Sequence, residues 1–368
     1  MPPIQVARDD FYAALQAVQH AVAGRTTLPI LTGILLQTEA GLLHLTATDL
    51  EIAISATVPC SAGSQSEIVL PARYLIELVR RSPAEKLDLE IREEDWSAWL
   101  RWPGSEFRMN GFEPSQFPKL PKVEASRSIR LENDLLLNGL QKTLFSVSQD
   151  ETRPILTGVQ LGLSEEGLEA ISTDGFRISH VKLGKTDRAD EQLVVPGRSL
   201  QQLARVLPAG QQGTIEMGDH QVIFRSADLM FLARTLSDPF PAVLDLIPHE
   251  YQTKMHCERR LLLSACERMA LVADMRDRPN GVKLSLQQDR LVLRANSPDV
   301  GDACEEIPVV TSGDPLEISF NARYLIDGLK VIDDDQVLFE FSGALSAARL
   351  GGAEDESYRY IVLPMRTS

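Results

Sequence analysis

Apolar positions along this chain follow two rhythms in alternation. Around Arg8 to Val22, Glu132 to Val147 and Arg259 to Val272 they recur every three or four residues, the spacing that gathers them on one side of a helix. After the first two windows they alternate with polar residues across a short polar turn, in ILLQTEAGLLHLTATD from Ile34 and VQLGLSEEGLEAISTD from Val159, which predicts paired, half-buried strands. The apolar runs IVLP, LVVP and ISFN end at Pro71, Pro196 and Asn321, where helical spacing returns in ARYLIELVRR, GRSLQQLARVL and ARYLIDGLKVI. Further alternation follows in LDLEIREEDWSAWLRW, GTIEMGDHQVIFRS and QVLFEFSGALSAARL. Strands outnumber helices and no long parallel β-α-β alternation is present, so the predicted class is α+β with antiparallel sheets.

The same order of elements occurs three times. LTGILL around Gly33 returns as LTGVQL around Gly158 and, more weakly, as NGVKL around Gly281. TATD ending at Asp49 returns as ISTDG around Asp174, and FPKL at Pro118 returns as FPAV at Pro241 and VLPM at Pro364. Helical and propeller repeats run at about 20–50 residues, whereas this spacing is about 120, so whole domains are multiplied. The expected limits are residues 1–123, 124–247 and 248–368, each long enough to bury a core of its own.

Composition is that of an ordinary globular chain, 43% hydrophobic and 24% charged, with no apolar run approaching the ~18 residues that span a bilayer. The start, MPPIQVARDDFYAAL, shows no basic stretch followed by an apolar one, so no secretory signal is expected. Cys60, Cys257, Cys266 and Cys304 are scattered, without zinc-site spacing or the density of a disulfide scaffold, and read as reduced thiols of a cytoplasmic protein. The net charge of −15 argues against a nucleic-acid partner until its distribution is considered. The six helical windows together are mildly basic, which leaves the acidic excess on strands and loops.

Five segments in order carry a resemblance: RTTLPILTGILLQ at Arg25 to Gln37, TATDLEI at Thr46 to Ile52, RPILTGV at Arg153 to Val159, STDGFRI at Ser172 to Ile178 and YIVLPMR at Tyr360 to Arg366. Together they resemble the bacterial DNA polymerase III beta subunits, the sliding clamps, over the full chain. The resemblance implies three DNA-clamp domains per chain, and two chains joined head to tail in a ring with helices lining the hole and sheets outside. Basic helices would then face the phosphates of encircled duplex DNA, while an acidic exterior discourages binding elsewhere. Contacts of this kind carry no base information. The residues expected to face DNA are Arg25, Arg73, Arg80, Lys142, Gln149, Arg198 and Arg205. Pro154 and Ile155 stand where some members carry aromatics near the duplex.

The resemblance also implies a pocket for short apolar peptides of the polymerase III catalytic subunit, the clamp loader, other polymerases and repair proteins. Matching positions are Arg153, Leu156, Thr173, Gly175, Phe176, Arg177 and Ile178, then Pro241, Val243 and Leu246, and at the chain end Ile361, Val362, Leu363, Pro364, Met365 and Arg366. A methionine suits such a site because it adapts to varied side chains. Two positions depart from the family: Phe176 replaces a histidine found in some members, and Asp245 replaces a common basic residue, which should disfavour acidic peptide flanks. The implied dimer interface joins Phe107 and Met109 to Leu271 and Val272 of a second copy. Arg73, Arg80 and Arg108 on one side and Asp299, Asp302, Glu305 and Glu306 on the other favour head-to-tail pairing.

Two other classes compete for these residues. A metal-dependent nuclease would need carboxylates converging on one point, but Asp49 and Asp174 occupy equivalent places in different domains and suit strand-end turns, and the Asp333, Asp334, Asp335 run suits a solvated turn. No HExxH, phosphate-binding glycine loop or nucleophile elbow is present, so no catalysis, metal or cofactor is expected. An acidic scaffold of triplicated domains that binds proteins and never nucleic acid fits the net charge but leaves the basic helices unexplained.

Overall fold

The computed structural model describes residues 3–61, 65–120, 127–164, 167–184, 191–248, 250–273 and 281–365. In the first repeat, strand β1 (Ile4–Ala7) leads into helix α1 (Arg8–Val18), followed by β2 (Gly33–Glu39), β3 (Leu42–Thr48), β4 (Ile52–Ser61) and β5 (Glu67–Pro71). Helix α2 (Ala72–Arg81) and strands β6 (Lys86–Arg92), β7 (Ser97–Trp102) and β8 (Ser105–Asn110) complete it. The second repeat has β9 (Arg127–Glu132), α3 (Asn133–Thr143), β10 (Gly158–Ser164), β11 (Gly167–Thr173), β12 (Arg177–Gly184) and β13 (Glu191–Pro196). It ends with α4 (Gly197–Val206), β14 (Gln212–Gly218), β15 (Gln221–Ser226) and β16 (Leu229–Arg234). The third has β17 (Thr253–Glu258), α5 (Arg259–Val272), β18 (Gly281–Gln287), β19 (Arg290–Ser297), β20 (Gly301–Pro308) and β21 (Val310–Gly313). Strand β22 (Leu316–Asn321), α6 (Ala322–Lys330), β23 (Gln336–Phe341), β24 (Ala348–Gly352) and β25 (Tyr358–Val362) close the chain.

The helical spacing holds where it is strongest. Helix α5 covers the window expected for it and buries Leu262, Ala265, Cys266 and Met269, one stripe of a 3.6-residue period. Helix α1 buries Phe11, Ala14, Leu15 and Val18, then tightens into a 3-10 turn at Gln19–Ala21, so the α-helix is shorter than the apolar pattern suggests. Burying a side chain such as Leu15 contributes roughly 2 kcal/mol, and Leu15→Ala would cost about 3 kcal/mol once the cavity is included. Asn321 caps α6, its side-chain oxygen accepting from the Arg323 amide at 3.0 Å. The β2–β3 hairpin turns through Ala40 (φ 51°) and Gly41 (φ 82°), the left-handed pair that a two-residue turn requires.

All strand pairs are antiparallel. A twelve-stranded sheet runs β8-β7-β6-β1-β4-β16-β15-β14-β9 with β2, β3 and β5 attached; a nine-stranded sheet runs β13-β10-β11-β12-β25-β24-β23-β17-β21; a four-stranded sheet runs β20-β19-β18-β22. Contacts divide the chain into two compact units, Met1–Leu137 with Arg198–Thr235, and Asn138–Gly197 with Leu236–Ser368. The units are therefore not the repeats. Each large sheet passes from one repeat into the next, at β4–β16 and at β12–β25.

Candidate functional site

The expected peptide-pocket residues converge on the turn between β11 and β12. Thr173 Oγ1 donates to the Arg177 carbonyl at 2.7 Å and accepts from the Gly175 amide at 3.0 Å. Asp174 Oδ1 accepts from the amides of Phe176 at 2.9 Å and Arg177 at 3.1 Å. Gly175 has φ +92°, which a side chain would strain. The turn leaves the Phe176 ring 58% exposed. The chain end is tied to it: Ile361 pairs with Ile178, Val362 with Arg177, and the Leu363 amide donates to the Phe176 carbonyl at 2.9 Å. The Met365 amide then donates to the Ser319 carbonyl at 2.7 Å.

The floor is a buried cluster of Ile171, Ile178, Val243 and Ile361, against which Phe240, Leu244, Ile247 and Ala347 pack. Val243 and Leu246 belong to a 3-10 turn, Val243–Leu246, that places the first inside and the second 69% exposed. Pro241, Leu363, Arg153 and Leu345 are also exposed, while Pro364 and Met365 are half-buried. Arg366 lies outside the described residues. Phe240, Leu244, Ile247 and Ala347 were not anticipated; the run FPAVLDLIP contains the first three, whereas nothing in the sequence singles out Ala347. Leu156, Thr173 and Val362 are buried, and serve the fold beneath the site rather than its rim.

Arg177, expected in the peptide pocket, is largely buried and its guanidinium is held within the fold. Its Nε donates to Asp174 Oδ2 at 2.9 Å, Nη1 to Asp327 Oδ2 at 2.8 Å and Nη2 to the Phe145 carbonyl at 2.6 Å. The guanidinium also lies over the rings of Tyr324, at 4.4 Å, and Phe145, at 5.3 Å. It fixes β12 and its turn to α6, from inside. Lys142, expected to face DNA, is 4% exposed, its Nζ 3.0 Å from Asp333 Oδ2 and 3.5 Å from Asp355 Oδ2. Its ammonium is thus paired with two carboxylates, the first of them largely exposed.

The other expected DNA-facing residues, Arg25, Arg73, Arg80, Gln149, Arg198 and Arg205, are exposed. Arg80 and Arg81 both hold Glu77, at 2.7 and 3.0 Å, and hydrogen bonds from these two arginines keep the Glu77 carboxyl below the usual range. Arg205 Nη1 donates to Gln202 Oε1 at 3.3 Å. Surface pairs of this sort are weak enough for a phosphate to displace them. Asp49 caps its turn as Asp174 does, accepting from the amides of Glu51 and Ile52 at 2.9 and 2.8 Å. Asp334 accepts from the amides of Glu354 and Asp355 at 2.9 and 3.2 Å, so the Asp333–Asp335 run ties down a neighbouring loop instead of only meeting solvent. No three His, Cys, Asp or Glu side chains gather as a metal site among the described residues, and no helix is long and apolar enough to cross a membrane.

At the edges, β8 bonds only to β7 and β20 only to β19 among the described strands. Phe107 is exposed and stacks on Trp102 at 4.9 Å, and Met109 is buried at the base of a mainly apolar cleft of about 450 Å³ that also involves Tyr74, Leu78 and Phe107. At the end of α5, Leu271 is 79% exposed and Val272 half-buried.

Repeated α+β units joined strand to strand, with exposed arginines on their helices and sheet edges such as β8 and β20, define a DNA-clamp architecture. Three family models match in order: the N-terminal domain of the DNA polymerase III beta subunit over residues 3–121, its central domain over 130–242 and its C-terminal domain over 244–366. The chain belongs to the DNA polymerase III beta subunit family. It is 33% identical over 369 residues to the beta sliding clamp of Synechococcus elongatus, covering 98% of each chain, and 32% identical over 379 residues to that of Staphylococcus aureus, covering 100% of each. The crystal structure of the DNA polymerase sliding clamp from Bacillus subtilis superposes with a TM-score of 0.94 at 30% identity over 100% of both chains.

Proposed function

We propose that this chain is a DNA replication processivity factor of the bacterial cytoplasm, without a reaction of its own. Two copies close head to tail into a ring around duplex DNA, with no preference for sequence. The ring tethers the polymerase III catalytic subunit, the clamp loader and other polymerases and repair proteins through apolar peptides seated beside Phe176, Leu246 and Leu363. Family membership supports the processivity role, and the exposed arginines of α2 and α4 support the contact with phosphates.

One observation carries the head-to-tail closure: both junctions inside the chain use one register. The first residue of β4, Ile52, pairs with Ala233 near the end of β16; the first residue of β12, Arg177, pairs with Val362 at the end of β25. In each case the next amide along the closing strand donates into the Asp-capped turn, Arg234 to the Glu51 carbonyl at 3.0 Å and Leu363 to the Phe176 carbonyl at 2.9 Å. Repeat equivalence makes β8 the closing strand of the first repeat and β20 the receiving strand of the third. Asn110 holds the place of Arg234, since each stands opposite the first residue of the preceding strand. The same register then sets Met109 against Gly301, Arg108 against Asp302, Phe107 against Ala303 and Glu106 against Cys304 of a second copy. Arg108 meets an opposite charge, and the Leu271 end of α5 falls to the apolar cleft beside Phe107.

The test makes the substitution Glu106→Cys and treats the full chain with a short bismaleimide in the presence of nicked circular DNA. Cross-linked dimers that depend on both the introduced thiol and the native Cys304, and that stay with circles in high salt but leave the same DNA once linearised, are expected. Equal loss from circles and lines would return the molecule to an acidic protein scaffold.

A further inference from the structure

The floor of the Phe176 site is apolar, but the charges at its rim are not balanced. Arg153 stands over the turn, its Nη1 3.9 Å from where a Cβ on Gly175 would lie, and it already has the Asp150 carboxylate 3.8 Å from its Nε. Asp245 lies in the 3-10 turn between Leu244, which packs on the floor, and exposed Leu246. Its side chain is exposed and its carboxylate has no hydrogen-bond or ion-pair partner among the described residues. Its amide is used inward, donating to the Ala242 carbonyl at 3.3 Å, which fixes the backbone that carries the charge. Among the described residues of this rim, the charge without a partner is therefore negative.

We infer that Asp245 selects, among the apolar peptides this site takes, those with a lysine or arginine next to the residue that covers Leu246. The inference rests on the peptide-pocket reading given above. A peptide that seats apolar side chains on Leu246 and Phe176 brings its flanking residues within a few ångströms of the 3-10 turn. A cation there gains a carboxylate that has no other partner, and an acidic flank meets a like charge beside surface from which water is being removed. The backbone on which Asp245 rides is held by Val243 in the buried cluster, so the charge does not swing away at low cost.

The experiment measures anisotropy of three labelled peptides that share one leucine- and phenylalanine-containing core and differ only in a Lys, Ala or Glu flank, using the full chain. The Lys peptide is expected to bind about fivefold more tightly than the Glu peptide at low salt, the range of an exposed ion pair, with Ala between them. High salt and Asp245→Asn should each bring the three together. Equal affinity of the Lys and Glu peptides for the wild-type chain, or an unchanged order in Asp245→Asn, overturns the inference and leaves the pocket standing. Failure of the Ala peptide to bind, or binding that Phe176→Ala leaves intact, overturns the pocket reading and the inference with it.

Discussion

Arg177 Nη1 lies 2.8 Å from Asp327 Oδ2, and through this contact a strand of the second repeat is fixed to a helix of the third. At the first junction Gln202, which holds in α4 the place of Asp327 in α6, meets His20 Nδ1 at 3.1 Å instead of an arginine. Equivalent junctions are thus held by different chemistry. The charged one lies next to the turn that presents Phe176, so one guanidinium adds to the β12–β25 pairing in tying that turn to the third repeat.

Asp327→Asn is expected to destabilise the second compact unit by about 2 kcal/mol. Removing one partner of a buried pair costs about 3–5 kcal/mol, but Asp327 is partly solvent-exposed and Asp174 still holds the guanidinium. Urea unfolding followed by circular dichroism measures the loss. Arg177→Met should cost more, because it also removes the side-chain donors to the Phe145 carbonyl and Asp174 Oδ2. Equal stability of wild type and both variants would remove the structural role assigned to Arg177.

Stability should fall in acid in part through Asp355. Burial opposes its ionisation, yet hydrogen bonds from the Ser357 hydroxyl and amide and the charge of Lys142 hold its carboxyl below the ordinary aspartate range. A carboxyl depressed in the folded state contributes stability that is present above its unfolded pKa, about 3.9, and is lost as pH falls through the lower folded value. Asp355→Asn should therefore be less stable than wild type at neutral pH, with the difference shrinking below about pH 4. Thermal melts of the two proteins across that range measure it, and a difference that grows in acid would contradict the assignment.

The four thiols should react in a set order. Burial pushes the Cys257 thiol up to about 11 and the Cys266 thiol up to about 12, so neither offers thiolate to a disulfide reagent at neutral pH. Cys304 is exposed on β20 and Cys60 is half-buried. Native protein dilute enough to be monomeric should release one equivalent of thionitrobenzoate quickly, from Cys304, with Cys60 slower and the other two only after unfolding. At concentrations where copies pair through β20, Cys304 should become slow. A rate independent of concentration would place the interface elsewhere.

The elements and the repeated Asp-capped turn were legible because each is local. The apolar stripe of α5 and the Thr-Asp pair at Asp49 and Asp174 declare themselves within a few residues. The ion pairs of Lys142 and Arg177 were not legible, for the opposite reason. Nothing near Lys142 in sequence announces Asp333 or Asp355, and a basic residue on a helix looks like a surface group until its long-range partners are seen. Ala347 was missed because a small residue gains meaning only from the Ile171, Ile178 and Ile361 cluster it covers. The cohesion across β4–β16 and β12–β25 was likewise invisible, since the repeat pattern marks where units begin and not how strands join them.

The register across the proposed dimer interface makes a last expectation that self-association measures. Arg108 already touches Asp95 of its own chain at 2.6 Å, and Asp302 accepts from the Asn296 side chain, so neither is a lone charge waiting for a partner. In the shared register they nevertheless face each other across two chains. Arg108→Glu should weaken dimerisation about tenfold, the effect of setting like charges together in place of opposite ones at an interface rim. Asp302→Arg should do the same. Both reversals in one chain should restore much of the affinity, since each head-to-tail contact then joins opposite charges again with the signs exchanged between the two strands, and no intrachain account of Arg108 predicts that rescue. Leu271→Asp with Val272→Asp should yield monomers outright, because it places charge on the helix end that the proposed interface sets against the apolar cleft. Analytical ultracentrifugation over a dilution series separates the cases: a double reversal no tighter than either single one would overturn the register, and a dimer of unchanged affinity in the Leu271, Val272 variant would overturn the interface.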